Sequence, residues 1–174
     1  MKYHLLSRIF HWVMAIIIIF MICFGVYMTD FLSNESTNRH EIYELHKSFG
    51  VLVLILLSAR IVNRLYHKPP ALPESIKNIE KKIAHLAHLG FYFLMLIVPL
   101  SGYLMSNSYG FEVKFFGLTL PNLISQNIDL AKDFGEIHEI SAFSLAGLIA
   151  LHIVAVIKHR FFDQKENDVL KRML

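Results

Sequence analysis

The chain has 174 residues, 55% of them hydrophobic and 13% aromatic, with a mean hydropathy of +0.47 and a formal net charge of +3. A soluble domain of this length would be less apolar. The basic excess reads as membrane topology and lipid contact rather than nucleic-acid binding. A single cysteine, Cys23, excludes an internal disulfide and a cysteine-ligated iron–sulfur cluster.

Four apolar segments follow in order, each near the roughly 20 residues that a spanning helix needs. The first runs over about 9–29 and reads as a retained helix. Lys2 and Arg8 precede it as in a signal peptide, but its apolar run is too long and no small-residue cleavage pattern follows. Ser33, Asn34, Ser36, Thr37 and Asn38 then break the chain. The second helix spans about 42–66, and Lys68-Pro69-Pro70-Ala71-Leu72-Pro73 ends it. The third spans about 80–106, with Pro99 expected to kink it. An aromatic stretch, Tyr109–Gly117, reads as a short amphipathic piece at the membrane surface. The fourth helix spans about 134–160. The expected fold is an all-α membrane protein, one four-helix transmembrane bundle over 1–174. With the N-terminus inside, 13 of the 17 Lys and Arg residues fall on the cytoplasmic side, which places both termini there.

The histidines carry the chemistry. His138 and His152 lie on the fourth segment, fourteen residues apart, or roughly 21 Å along a helix and about 40° short of four full turns. His11 matches His152 in depth near the inner ends of their helices. His46 matches His138 near the outer ends. Buried imidazoles within a membrane need partners, so the depths pair His11 with His152 and His46 with His138. Two facing imidazoles hold an iron by both axial positions. A bis-histidine haem iron has no open site and transfers electrons. The absence of C-x-x-C-H means that such haems are held without thioether bonds. Haem propionates need cations or hydrogen-bond donors when partly buried. Arg60, fourteen residues after His46, falls at the inner depth, although a snorkelling interfacial arginine is an equal reading. Lys47 and Arg39 are the outer candidates. His4, His40 and His67 sit in polar flanks and read as solvated.

The ordered motifs Arg8-Ile9-Phe10-His11-Trp12, Leu45-His46-Lys47-Ser48-Phe49-Gly50, Ala84-His85-Leu86-Ala87-His88-Leu89, Phe116-Gly117-Leu118-Thr119-Leu120-Pro121, Glu136-Ile137-His138-Glu139, Leu151-His152 and Lys158-His159-Arg160-Phe161-Phe162 resemble the bacterial cytochrome b561 family over essentially the whole chain. The resemblance implies a multi-pass protein of the bacterial inner membrane with two non-covalent b-type haems. It implies the same two histidine pairs. It also implies electron transfer from superoxide at the outer face to ubiquinone at the inner face, a superoxide:quinone oxidoreductase activity. Quinone reduction consumes protons, and His85, His159 and Lys82 are the candidates to deliver them. The alternative is a haem-bearing anchor that wires a partner dehydrogenase or redox protein to the quinone pool. A further alternative is a haem-free transporter with structural histidines. The outer side carries nine acidic residues against four basic ones, a net negative face that repels an anionic donor. Only a local cluster of Lys47, Lys114 and Lys132 would reverse this.

Overall fold

This computed structural model describes residues 2–174. Four helices carry the chain: α1 (Leu5–Val26), α2 (Arg39–Tyr66), α3 (Asn78–Ser108) and α4 (Ile128–Phe161). All four are long and apolar enough to cross a membrane, so the helical bundle expected from hydropathy is the fold. Tyr3 N donates to the Arg172 carbonyl at 3.0 Å, which brings both termini to one end of the bundle, the terminal end. The α1–α2 and α3–α4 connections lie at the opposite, far end.

At the start of α4 a capping group, not the apolar run, sets the helix end. The apolar part of α4 begins near Phe134, but the helix starts at Ile128. The Asn127 side chain accepts the N–H groups of Asp129 (3.0 Å) and Leu130 (3.2 Å), a cap worth about 1 kcal/mol. At the other extreme, α1 widens into a π-helical turn, Tyr27–Phe31. There Thr29 Oγ1 donates back to the carbonyls of Val26 (3.1 Å) and Gly25 (3.3 Å).

The aromatic stretch after α3 has strand structure. It closes a small hairpin, β1 (Lys114–Phe115) with β2 (Leu118–Thr119). Phe116 and Gly117 turn it with φ of 48° and 94°, the two left-handed residues that a tight two-residue hairpin loop requires. A phenylalanine there is strained. Ser48 on α2 holds it: its hydroxyl lies 2.9 Å from the carbonyls of Glu44 and Lys114 and accepts the Phe116 N–H at 3.1 Å. The Phe116 ring then meets Phe49 edge-on at 5.6 Å. The hairpin is thus fastened to α2 within one turn of His46.

Lipid tails are as apolar as leucine, so helices in a bilayer associate by close packing and polar ties. The packing is central: Met14 and Ile18 of α1, Val53 and Leu57 of α2, Met95 of α3 and Leu145 of α4 form one buried cluster. Leu145 stands midway between His138 and His152, so this cluster separates the two histidine levels. A polar tie closes the terminal end, where Asn63 Nδ2 donates to Ser7 Oγ at 2.8 Å. α3 and α4 pack along most of their length, whereas α1 and α4 hardly touch. After α4 the tail folds back across the terminal end. Trp12 Nε1 donates to the Met173 carbonyl at 3.0 Å, and Ser75 Oγ to Asn167 Oδ1 at 2.6 Å. Asp168, buried, is paired with Arg160 and Lys171.

Candidate functional site

Two imidazole pairs form, one at each level. At the far level His46 of α2 faces His138 of α4, with ring centroids 6.2 Å apart and planes at 77°. At the terminal level His11 of α1 faces His152 of α4 at 6.3 Å and 62°. With roughly 2.0 Å from metal to ring nitrogen and about 1.1 Å from nitrogen to ring centre, two imidazoles on opposite sides of one metal stand about 6.2 Å apart. Both pairs have that spacing. Among the described residues, no group of three or more His, Cys, Asp or Glu side chains is placed to hold a metal ion. A bare zinc ion wants four ligands. Two imidazoles per level instead suit an iron that brings four equatorial nitrogens of its own, so the residues present fit a haem at each level.

The far pair is braced from two sides. His138 Nδ1 donates to the Val98 carbonyl of α3 at 2.7 Å, which fixes the tautomer and leaves Nε2 with a lone pair for a metal. Gly102, one turn further along α3, is what admits the ring: a Cβ there would stand 3.0 Å from two atoms of the His138 imidazole. His46 Nδ1 is buried without a hydrogen-bond partner. An orphaned ring nitrogen is costly and fits a ring whose bonding a metal completes. Neither Val98 nor Gly102 is visible as a site residue in the sequence, because a backbone acceptor and a missing side chain carry no motif.

The terminal level has three imidazoles. His88 of α3 also lies 6.3 Å from His152, and Phe91 packs edge-on against the same ring at 5.4 Å. His88 Nδ1 donates to the Ala84 carbonyl at 2.6 Å, so its Nε2 too carries a lone pair. The sequence carries His85 and His88 as an H-x-x-H motif; both residues are exposed, and of the two it is the His88 ring that lies beside His152. The separation of α1 from α4 favours His11 as the opposite ligand, because a planar group needs space between the helices that bear its ligands. The close packing of α3 on α4 offers none.

The charged candidates divide in the same way. Lys47 Nζ lies 2.5 Å from Glu44 Oε1 and donates to the Glu112 carbonyl at 2.7 Å, while Lys114 reaches the other Glu44 oxygen at 3.7 Å. Lys132 pairs with Asp129 on its own exposed turn. The three lysines therefore do not form one cluster: two share Glu44, for a local excess of one positive charge. Arg39 is engaged with the Leu32 carbonyl (3.5 Å) and the Tyr43 hydroxyl (3.1 Å). At the terminal end Arg60 stands over Tyr92, 5.8 Å from its ring centre. His159 Nδ1 meets Asp163 Oδ2 at 2.7 Å, beside the Lys158–Glu80 pair, whereas Lys82 is exposed. His4 and His67, expected to be solvated singly, stack face to face at 3.8 Å.

The chain is similar to known proteins along most of its length. Residues 2–174 match the family model described as prokaryotic cytochrome b561. The chain is 33% identical to cytochrome b561 homolog 2 of Escherichia coli K12 over 174 residues, 99% of this chain and 91% of that protein. It is 31% identical to a probable superoxide oxidase, CybB, of Yersinia pestis over 130 residues, 74% of this chain and 73% of that protein. Cytochrome b561 homolog 1 of Escherichia coli K12 is 27% identical over 130 residues, 75% of this chain and 73% of that protein.

Proposed function

The chain belongs to the prokaryotic cytochrome b561 family of multi-pass inner-membrane proteins that bind b-type haem and transfer electrons, and from that premise we propose that it moves electrons from superoxide at the periplasmic face to ubiquinone at the cytoplasmic face. The distribution of lysine and arginine supports a periplasmic far end and a cytoplasmic terminal end. The observation that carries the reading is the pair of imidazole spacings, 6.2 and 6.3 Å, at two depths on α4. Two haems, when bound, supply one-electron carriage across the membrane.

The residues around them have separable tasks. His46 with His138, and His11 with His152, would hold and orient one haem each. Val98 fixes the His138 tautomer through its carbonyl. The Met14–Leu145 cluster keeps water from the path between the levels. At the periplasmic face Lys47 and Lys114 outweigh Glu44 by one charge, which draws a small anion towards His46 against the negative average of that side. Superoxide leaves as dioxygen after giving one electron. Two such electrons and two cytoplasmic protons convert a quinone to the quinol. The His159–Asp163 pair is suited to pass those protons, since the carboxylate orients the imidazole for proton transfer. His85 and Lys82, both exposed near the start of α3, stand at the entry from the cytoplasm.

Haem content and redox titration of single variants test the assignment. His138→Ala removes the periplasmic-side haem and spares the other; His152→Ala does the reverse. Equal loss of both haems in each variant, in protein that remains folded, sinks it. His11→Ala and His88→Ala choose the partner of His152: the first loses the cytoplasmic-side haem and the second keeps it.

A further inference from the structure

The last turns of α2 carry two arginines four residues apart, Arg60 and Arg64. Like charges at this spacing repel. Both nevertheless converge on one ring: their guanidinium carbons lie 5.8 and 5.7 Å from the centre of Tyr92 on α3. Tyr92 stands one turn beyond His88, so this ring belongs to the same stretch of α3 that backs His152. Arg60 Nη1 also reaches Met14 Sδ at 4.0 Å, a weak acceptor. Among the described residues, neither arginine meets a carboxylate. Beside them the Asn63–Ser7 hydrogen bond ties α2 to α1, and a small cavity is lined by Ser7, Asn63, Arg60, Arg64 and Tyr92.

The far end shows what satisfied cations look like in this molecule. There Lys47 and Lys114 share Glu44. Arg60 and Arg64 are a pair of guanidiniums at the edge of the apolar region, gathered on a tyrosine, with no acid of the chain to offset them. Such groups within a membrane protein mark a bound partner. A guanidinium presents a planar fork that matches a carboxylate or a phosphate by two parallel hydrogen bonds.

We propose that Arg60 and Arg64, set around Tyr92, form an anion cradle that holds the propionate carboxylates of the haem bound between His11 and His152. This deepens the haem reading above and rests on it. It adds Arg64 and Tyr92 to the site and gives the two levels different chemistry: lysines that share a carboxylate at one, arginines gathered on a tyrosine at the other. Positive charge beside a cofactor favours its reduced form, so the cradle also tilts the path towards the cytoplasmic side.

The test uses the full-length chain, prepared without haem in a His138→Ala background so that only the inner level is read. It is loaded with iron protoporphyrin IX or with the dimethyl ester of that porphyrin, whose propionates carry no charge. With both arginines present, esterification speeds haem dissociation at least tenfold. In Arg60→Gln/Arg64→Gln the two porphyrins dissociate alike, and the midpoint potential of the protoporphyrin form falls by about 59 mV, a tenfold change for a one-electron couple. Arg64→Gln alone, at the exposed member, gives a smaller loss of discrimination and serves where the double variant does not fold. Undiminished discrimination in the arginine variants overturns the proposal. So does an effect that appears only as a changed preference for phosphatidylglycerol over phosphatidylcholine nanodiscs, which would assign the arginines to a lipid phosphate. Failure of either porphyrin to bind, with the arginines intact, refutes the haem reading itself and the cradle with it. The two failures are therefore distinguishable.

Discussion

The two ends of α4 carry the same residue and build around it differently. At the far end His138 is locked by main chain: a carbonyl of α3 fixes its tautomer, a glycine of α3 makes room for its ring, and a hairpin fastened by Ser48 closes over its partner's helix. At the terminal end His152 is surrounded by side chains: His11, His88 and Phe91, with Arg60 and Arg64 gathered nearby on Tyr92. A backbone brace is rigid and chemically silent. A side-chain surround is polar and open to exchange with whatever arrives from the membrane or the cytoplasm. The difference suits the path proposed above, in which one end meets a small donor and the other delivers electrons and protons together.

The comparison breaks most visibly at Gly102. An added Cβ stands 3.0 Å from the His138 ring, against 3.7 Å between a Cβ at Gly25 and His46. The first is tighter than nine in ten real contacts, so the ring must shift by a few tenths of an ångström, and the second is ordinary. Gly102→Ala therefore displaces His138 from Val98 and lowers far-level haem occupancy severalfold, while Gly25→Ala leaves it near that of the parent. Haem content per chain, with terminal-level haem as the internal control, checks both. Equal effects of the two substitutions would mean that close packing of α3 does not position His138.

A moderate effect is expected where the hairpin is fastened. Ser48→Ala leaves the Phe116 N–H without its acceptor while the strained Phe116 backbone remains, a cost of about 1–3 kcal/mol. Hydrogen exchange of the segment from Lys114 to Thr119 should quicken by ten- to a hundredfold, and that of α1 should not change. The hydrogen bonds of the Ser48 hydroxyl all lie at the far end, so a matching acceleration at the terminal end would contradict the division between the ends.

How much of this was legible in the sequence follows the same division. Side chains that carry periodicity or charge were readable: the four spans, the four ligand candidates and their depth pairing, and Arg60 at the inner level. The hairpin was not, because its signal is a turn of two residues inside an aromatic stretch that reads equally as an interfacial segment. The start of α4 was missed because Asn127 caps a polar turn ahead of the apolar run. His85 and His88 read as one H-x-x-H motif, yet their spacing of three residues leaves them about 60° apart on a helix, enough for the His88 ring to reach His152 without His85. Lys47, Lys114 and Lys132 are near one another in topology, but only coordinates reveal that Glu44 takes two of them.

The smallest effect lies in the tail. Burial alone would raise the Asp168 carboxyl, but the hydrogen bonds from Arg160 and the Lys171 N–H, with the charges of both residues, outweigh it and hold the group below the usual carboxylate range. A depressed carboxyl contributes stability that is fully present above its unfolded value and is lost as the pH falls through the depressed folded value. The tail should therefore stay docked on Trp12 through the neutral range and into mild acid, then loosen below the ordinary carboxylate range. Limited proteolysis after Gln164 at stepped pH reads this directly. Asp168→Asn should abolish the step and expose the tail at neutral pH. Because Trp12 lies edge-on to His11 at 5.2 Å, the same release should perturb the terminal-level haem spectrum and leave the far-level one unchanged. A spectral change at both levels would show that the tail holds the bundle as a whole rather than its terminal end.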